Sequence, residues 1–162
     1  MIRLKDKGTF KKRWTIERFA SQADFEKGNC YKKSVVNHNV LANGGINELW
    51  TLVCAATGIR FDNTNAYLIT GTGVGAAAAA DVEGTFTAGV AKGMEAGYPT
   101  YGTLQKATWR ALFGAGDANQ AWNEFGVMNA STGEQLLNRL VSAQGTKTAG
   151  QVWQLTFDIT LS

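Results

Sequence analysis

"QVWQLTFDITLS", Gln151 to Ser162, decides the fold class. Trp153, Leu155, Phe157, Ile159 and Leu161 alternate with Gln154, Thr156, Asp158 and Thr160. Side chains along a strand point to opposite faces in turn, so this period of two predicts a strand with one apolar face. Upstream, "LLNRLVS" (Leu136–Ser142), "AWNEFGVMN" (Ala121–Asn129) and "TWRALFG" (Thr108–Gly114) read as shorter strands. The glycine- and Asx-rich "GAGDANQ" (114–120) and "NASTGEQ" (129–135) read as turns between them. Several short strands joined in this way predict a mainly β protein, either a β-sandwich or a β-barrel-like arrangement of antiparallel sheets.

One stretch breaks that pattern. In "NGGINELWTLVCAATG" (Asn43–Gly58), Ile46, Leu49, Trp50, Val53 and Cys54 recur at i, i+3, i+4, i+7 and i+8. That spacing predicts an amphipathic helix near 45–56, with Asn43 or Gly44 near its cap and Gly58 at its stop. The stripe is expected to face the core, which makes Cys54 a buried structural thiol and not a nucleophile.

The chain of 162 residues suits one domain, and 44% hydrophobic against 18% charged residues places it among globular proteins. Its longest apolar run, around Leu49–Ala56, is far short of the ~20 residues that span a bilayer. No apolar h-region follows the basic start "MIRLKDKGTFKKRW", so no signal peptide is expected, and Cys30 and Cys54 are expected as reduced thiols. The net charge of +3 is uneven: residues 1–33 carry ten Lys/Arg against four Asp/Glu, and the remainder six against nine. This divides the chain into a basic, aromatic N-terminal arm (1–33) and a β-rich body (34–162), the arm docking on an acidic partner surface. The arm residues expected to bind that partner are Phe10, Lys11, Lys12, Arg13, Trp14, Arg18, Phe19 and Phe25. Fully extended, such an arm would reach at most ~110 Å.

Motifs that would carry chemistry do not hold together. Gly71, Gly73 and Ala76 in "LITGTGVGAAAAADV" (Leu68–Val82) fit the G-x-G-x-x-[GA] pattern of dinucleotide sites. That site needs a parallel βαβ unit, yet the segment after it is broken by Gly84, Gly89 and Gly93 and runs into "KGMEAGYPTYG". The glycines are therefore read as making a tight turn and a close backbone approach. "DAN" (Asp117–Asn119) starts like a calcium loop but lacks the later ligands, and reads as an Asx-turn. "GTKT" (Gly145–Thr148) lacks the glycine a phosphate loop places before its lysine. His38, the single histidine, is read as a structural or interface residue. Glu124 and Glu134 are a chance pair of carboxylates among 13. No catalytic residue, metal ligand or cofactor is expected, and the chain is read as a non-enzyme.

Beside that reading stands a resemblance. "NVLANGGINELW" (Asn39–Trp50), "NAYLITGTG" (Asn65–Gly73), "MEAGYPTYG" (Met94–Gly102) and the stretch from Ala107 to Ser162 resemble a group of small virion structural proteins of tailed double-stranded DNA bacteriophages. The progression W-N-E-F-G, L-L-N-R, G-T-K-T-x-G-x-x-W-x-L-T is its most specific part, and the likeness spans roughly residues 35–162. The resemblance implies a non-enzymatic virion component, best read as a capsid decoration (cement) protein that bridges capsomers. It further implies assembly in the host cytoplasm, a major capsid protein as partner and homo-oligomers, trimers favoured. No small-molecule substrate, membrane association or direct DNA contact is expected. A tail or head-to-tail (neck) component is the alternative. A nucleic-acid-binding module using the basic arm, or a cell-wall hydrolase, stands behind it.

Overall fold

The computed structural model describes residues 9–132 and 135–161. In chain order the elements are β1 (Phe10–Phe19), α1 (Gln22–Glu26), β2 (Lys32–Val36), β3 (Val40–Leu41), α2 (Asn43–Ala55), β4 (Tyr67–Gly71), β5 (Val90–Gly93), β6 (Thr100–Thr103), β7 (Lys106–Phe113), β8 (Glu124–Met128), β9 (Leu136–Val141) and β10 (Val152–Leu161). The strands form two antiparallel five-stranded sheets, ordered β2-β1-β10-β7-β6 and β3-β9-β8-β4-β5. The protein is thus mainly β, as its alternating segments predict, and of the two arrangements left open the sheets face each other as a sandwich.

β10 sits in the middle of the first sheet, paired to β1 on one side and β7 on the other. Trp153, Leu155 and Phe157 enter the core, where Phe157 lies 4.7 Å from Trp14 and 5.8 Å from Trp109, ring centre to ring centre. The facing sheet contributes Leu68, Phe125, Val127, Leu137 and Leu140. Trp122, in the loop before β8, fills the far end and packs edge-on against Phe113 and Trp153. Ile159 is half-buried and Leu161 exposed, because this end of β10 runs past the packed core.

The division into arm and body is corrected. β1 is an interior strand, paired with β10 through all ten of its residues and with β2 from Trp14 to Arg18. Trp14 and Ile16 are wholly buried in the main core. Lysines and arginines on both sides of this pair mask the alternation in the sequence. The strand is held by its neighbours, and residues 34–162 lack one of the five strands of the first sheet without it. Residues 1–8 of the expected arm lie outside the described residues.

The helix stands where its periodicity puts it, but it is rotated. Gly45, its one buried residue, lies against β9 so closely that a Cβ there would overlap the Leu137 backbone. That contact turns Gly45 and Leu52 toward the sheet and leaves Leu49, Trp50 and Val53 at the surface, with Trp50 60% and Val53 74% exposed. Cys54, expected in the core, is exposed for the same reason. The helix ends at Ala56 in the left-handed region (φ 53°), and Glu48 accepts a 2.6 Å hydrogen bond from the Ile59 amide to fix the chain beyond it.

Phe157→Ala should cost about 3–5 kcal/mol, since it removes a ring fully enclosed by two tryptophans. Asp158→Ala, on the outer face, should cost less, about 1–2 kcal/mol, for the hydrogen bond it withdraws from the Thr108 hydroxyl. Urea unfolding of both variants checks the pair. Deleting residues 1–19 should leave a chain without cooperative thermal unfolding; a sharp melt of the truncated chain would contradict the interior placement of β1.

Candidate functional site

Both motifs that imitate ligand sites turn out to hold the chain's own charges. Gly71 and Gly73 bring the end of β4 against Glu124, the first residue of β8. A Cβ at either glycine would lie 2.5 Å from Glu124 Oε1. The amides of Gly73 and Thr87 donate to that oxygen at 2.7 and 2.8 Å. Arg139 Nη2 and Nε donate to Oε2 at 2.6 and 3.1 Å, and Arg139 Nη1 reaches Asp81 at 2.9 Å. The glycines thus allow backbone amides to close on an anion, as in a nucleotide site, but the anion is a wholly buried side chain. β4 continues into antiparallel β5 with no helix between them but a single 3-10 turn (Glu83–Thr85), so there is no βαβ unit. The alanine-rich connection of residues 72–89 instead covers the outer face of the second sheet, pinned there by this ion pair. Burial pulls the Arg139 pKa down, but the hydrogen bonds that it donates to Glu124 and Asp81 outweigh this and leave it raised.

The second imitation joins "DAN" to "GTKT". Lys147, wholly buried, donates from Nζ to the carbonyls of Gly114 and Asp117 and to Asn119 Oδ1, at 2.7, 2.9 and 2.8 Å. An ammonium occupies the position that a metal would take in a calcium loop, and burial lowers its pKa. The Asp117 carboxylate points elsewhere, accepting from Lys92 at 2.6 Å and from the Gly114 amide at 2.8 Å. The Lys92 hydrogen bond is the main cause holding Asp117 below the usual carboxylate range. Glu134 lies outside the described residues. His38 is exposed in the loop after β2, and among the described residues no group of three or more His, Cys, Asp or Glu is placed to hold a metal ion.

Exposed apolar and cationic side chains lie side by side at the other end of the sandwich, around Phe10. On the inner side of Phe10 is an apolar trough of about 300 Å³. Ile46, Leu49, Trp50 and Val53 of α2 form one wall, and Leu41, Leu137 and Ile159 complete it. On the outer side is an open groove of about 490 Å³, bordered by Lys11, Lys12, Arg13, Asn37 and Lys106. Asp158, also in this groove, is held by Lys106 at 3.3 Å and by the Thr108 hydroxyl at 2.6 Å. Among the described residues, no carboxylate lies within 4.0 Å of Lys11, Lys12 or Arg13.

Of the eight residues expected to bind a partner, the structure gathers Phe10, Lys11, Lys12 and Arg13 on this surface. Of the other four, Trp14, Arg18 and Phe19 are corrected as interior residues, and Phe25 lies beside Phe19 at the other end of β1. Trp14 is core. Arg18 is buried over Trp153 and donates to Ser34 and Gln144, so its charge is spent inside the fold. Phe19 is buried edge-on against half-buried Phe25 of α1, at 5.1 Å between ring centres. Sequence reasoning missed Lys106 and placed Leu49, Trp50 and Val53 in the core. The adjacent Gly44 and Gly45 are the signal that could have shown which helix face approaches the sheet. No protein-family model matches the chain, and no curated protein or solved structure matches it either.

Glu124→Ala should destabilise the fold by about 3–5 kcal/mol, because it leaves the Arg139 guanidinium with the Asp81 carboxylate alone and strips the Gly73 and Thr87 amides of their acceptor. Gly73→Ala acts on the same carboxylate, so the double variant should lose less than the sum of the two single losses in urea unfolding. Asp117 gives a pH test. Its folded pKa is depressed, so its stabilisation is present above the unfolded value of about 3.9 and fades as pH falls through the folded one. The melting-temperature gap between the parent and Asp117→Asn should be widest above about pH 5 and close in stronger acid.

Proposed function

We propose that the protein is a non-enzymatic structural component of a tailed-phage virion, and specifically a capsid decoration protein that bridges capsomers. The observation that carries the docking reading is the outward apolar stripe of α2. Leu49, Trp50 and Val53 are at the surface beside a trough with apolar walls. A helix that turns tryptophan and valine to water gains nothing in the free protein, and such patches mark interaction sites. The two imitation ligand loops, both filled from within, support the same reading, as does the resemblance of residues 35–162 to phage virion proteins. Decoration needs only modest affinity per contact, since many copies on one lattice gain from multivalency.

The test uses the full chain, because β1 belongs to the folded body. Parent protein and a Trp50→Ser/Val53→Ser variant are mixed with undecorated shells, and separately with tails, and occupancy is measured after sedimentation. The parent should saturate shells at hundreds of copies, of the order expected for a lattice of equivalent sites. The variant should keep the parent's melting temperature and lose occupancy. Binding to tails but not to shells would replace decoration with the tail or neck assignment.

A further inference from the structure

The two pairings of β1 differ in length. β10 covers it from Phe10 to Phe19, whereas β2 covers only Trp14 to Arg18. Phe10, Lys11, Lys12 and Arg13 therefore form an open sheet edge, with no strand on the β2 side among the described residues. In an antiparallel strand, alternate backbone N–H and C=O groups point toward each neighbour, so half of those in this segment face the side that no described strand covers. The same four residues line the basic groove, and Phe10 also lines the apolar trough.

We propose that the open edge at Phe10–Arg13 is completed by an extended segment of a partner protein that alternates carboxylate and apolar side chains. This names the partner segment for the docking role proposed above and rests on that reading. An added strand continues the pleat of β1, so its alternate side chains fall on the two faces that β1 itself presents. On the outer face they meet Lys11 and Arg13, with Lys106 across the groove; on the inner face they lie beside Phe10 at the mouth of the trough. Charge selects the occupant. Three cations in four residues repel the same edge of a second copy, which is how natural sheets guard an edge against self-pairing. They attract a segment of opposite sign, and they give discrimination as well as attraction.

Three short labelled peptides serve as probes: one alternating valine and glutamate, the same peptide with lysine for glutamate, and the glutamate peptide N-methylated at alternate residues. Binding is read by anisotropy and by hydrogen exchange at residues 10–13. Trp50 supplies a third readout, since iodide quenching of the folded protein reports the one exposed tryptophan of five. The glutamate peptide should bind at least about tenfold more tightly than the lysine peptide, protect amides in 10–13 and shield Trp50. Lys11→Glu/Arg13→Glu should reverse the preference, and N-methylation should abolish binding. Equal affinity for both charges, no binding by either, or full affinity of the N-methylated peptide would overturn strand addition. Duplex DNA that binds as tightly as the glutamate peptide would overturn a protein partner.

The Lys11→Glu/Arg13→Glu variant is then offered to undecorated shells beside the parent. Lost occupancy is the expected result. A variant that still decorates would overturn the edge as the shell contact while leaving decoration intact. Peptide binding by a parent that never decorates shells would support the edge site and overturn decoration.

Discussion

The pairing of β1 with β10 is the constraint on which the rest of the structure depends. It joins the two ends of the described chain over ten residues and brings Trp14 against Phe157 and Phe125. Those rings hold the first sheet to the second, and the other strands of the first sheet are added on either side of this pair. Because contacts between chain ends close a long loop, they form at high entropic cost and must be repaid by burial. The repayment comes from aromatic rings that are almost wholly enclosed.

A second theme is internal counter-charge. Glu124 and Lys147 are the buried charges that a ligand-binding loop would otherwise recruit from solution, and each is satisfied by several hydrogen bonds. Buried ions of this kind contribute little net stability against an apolar substitute, but they are costly to strand. What they add here is position. Glu124 and Arg139 fasten the long β4–β5 connection over its sheet, and Lys147 fastens the segment before β10 to the loop after β7. Both cradles are filled from within, whereas at the Phe10 end apolar and cationic side chains lie side by side at the surface.

That surface gives the proposed docking role its physical content. Buried apolar area supplies most binding free energy, whereas rim charges govern encounter rate and partner choice. The trough beside α2 fits the first task, and Lys11, Lys12 and Arg13 of β1 fit the second. Both use Phe10, so one residue links them. Arg18, by contrast, shows how a basic residue in a charged segment can belong to the interior, with its guanidinium stacked on Trp153.

Much of the fold was legible in the sequence because strand periodicity is local. β7, β8, β9 and β10 follow from alternation and from the turn residues between them, and α2 follows from its 3.6-residue spacing. The failure of the G-x-G pattern was also readable, since a dinucleotide site requires a helix that Gly84, Gly89 and Gly93 disfavour. The sequence could not reveal that β1 lies inside a sheet, because its partner is more than a hundred residues away and its flanking charges hide Trp14 and Ile16. Nor could periodicity fix the rotation of α2. A helical stripe states which residues share a face, but the close approach of Gly45 to Leu137 decides which face meets the sheet. Local pattern thus determined the elements, and only tertiary packing decided which of their charged and apolar faces were left to meet another molecule.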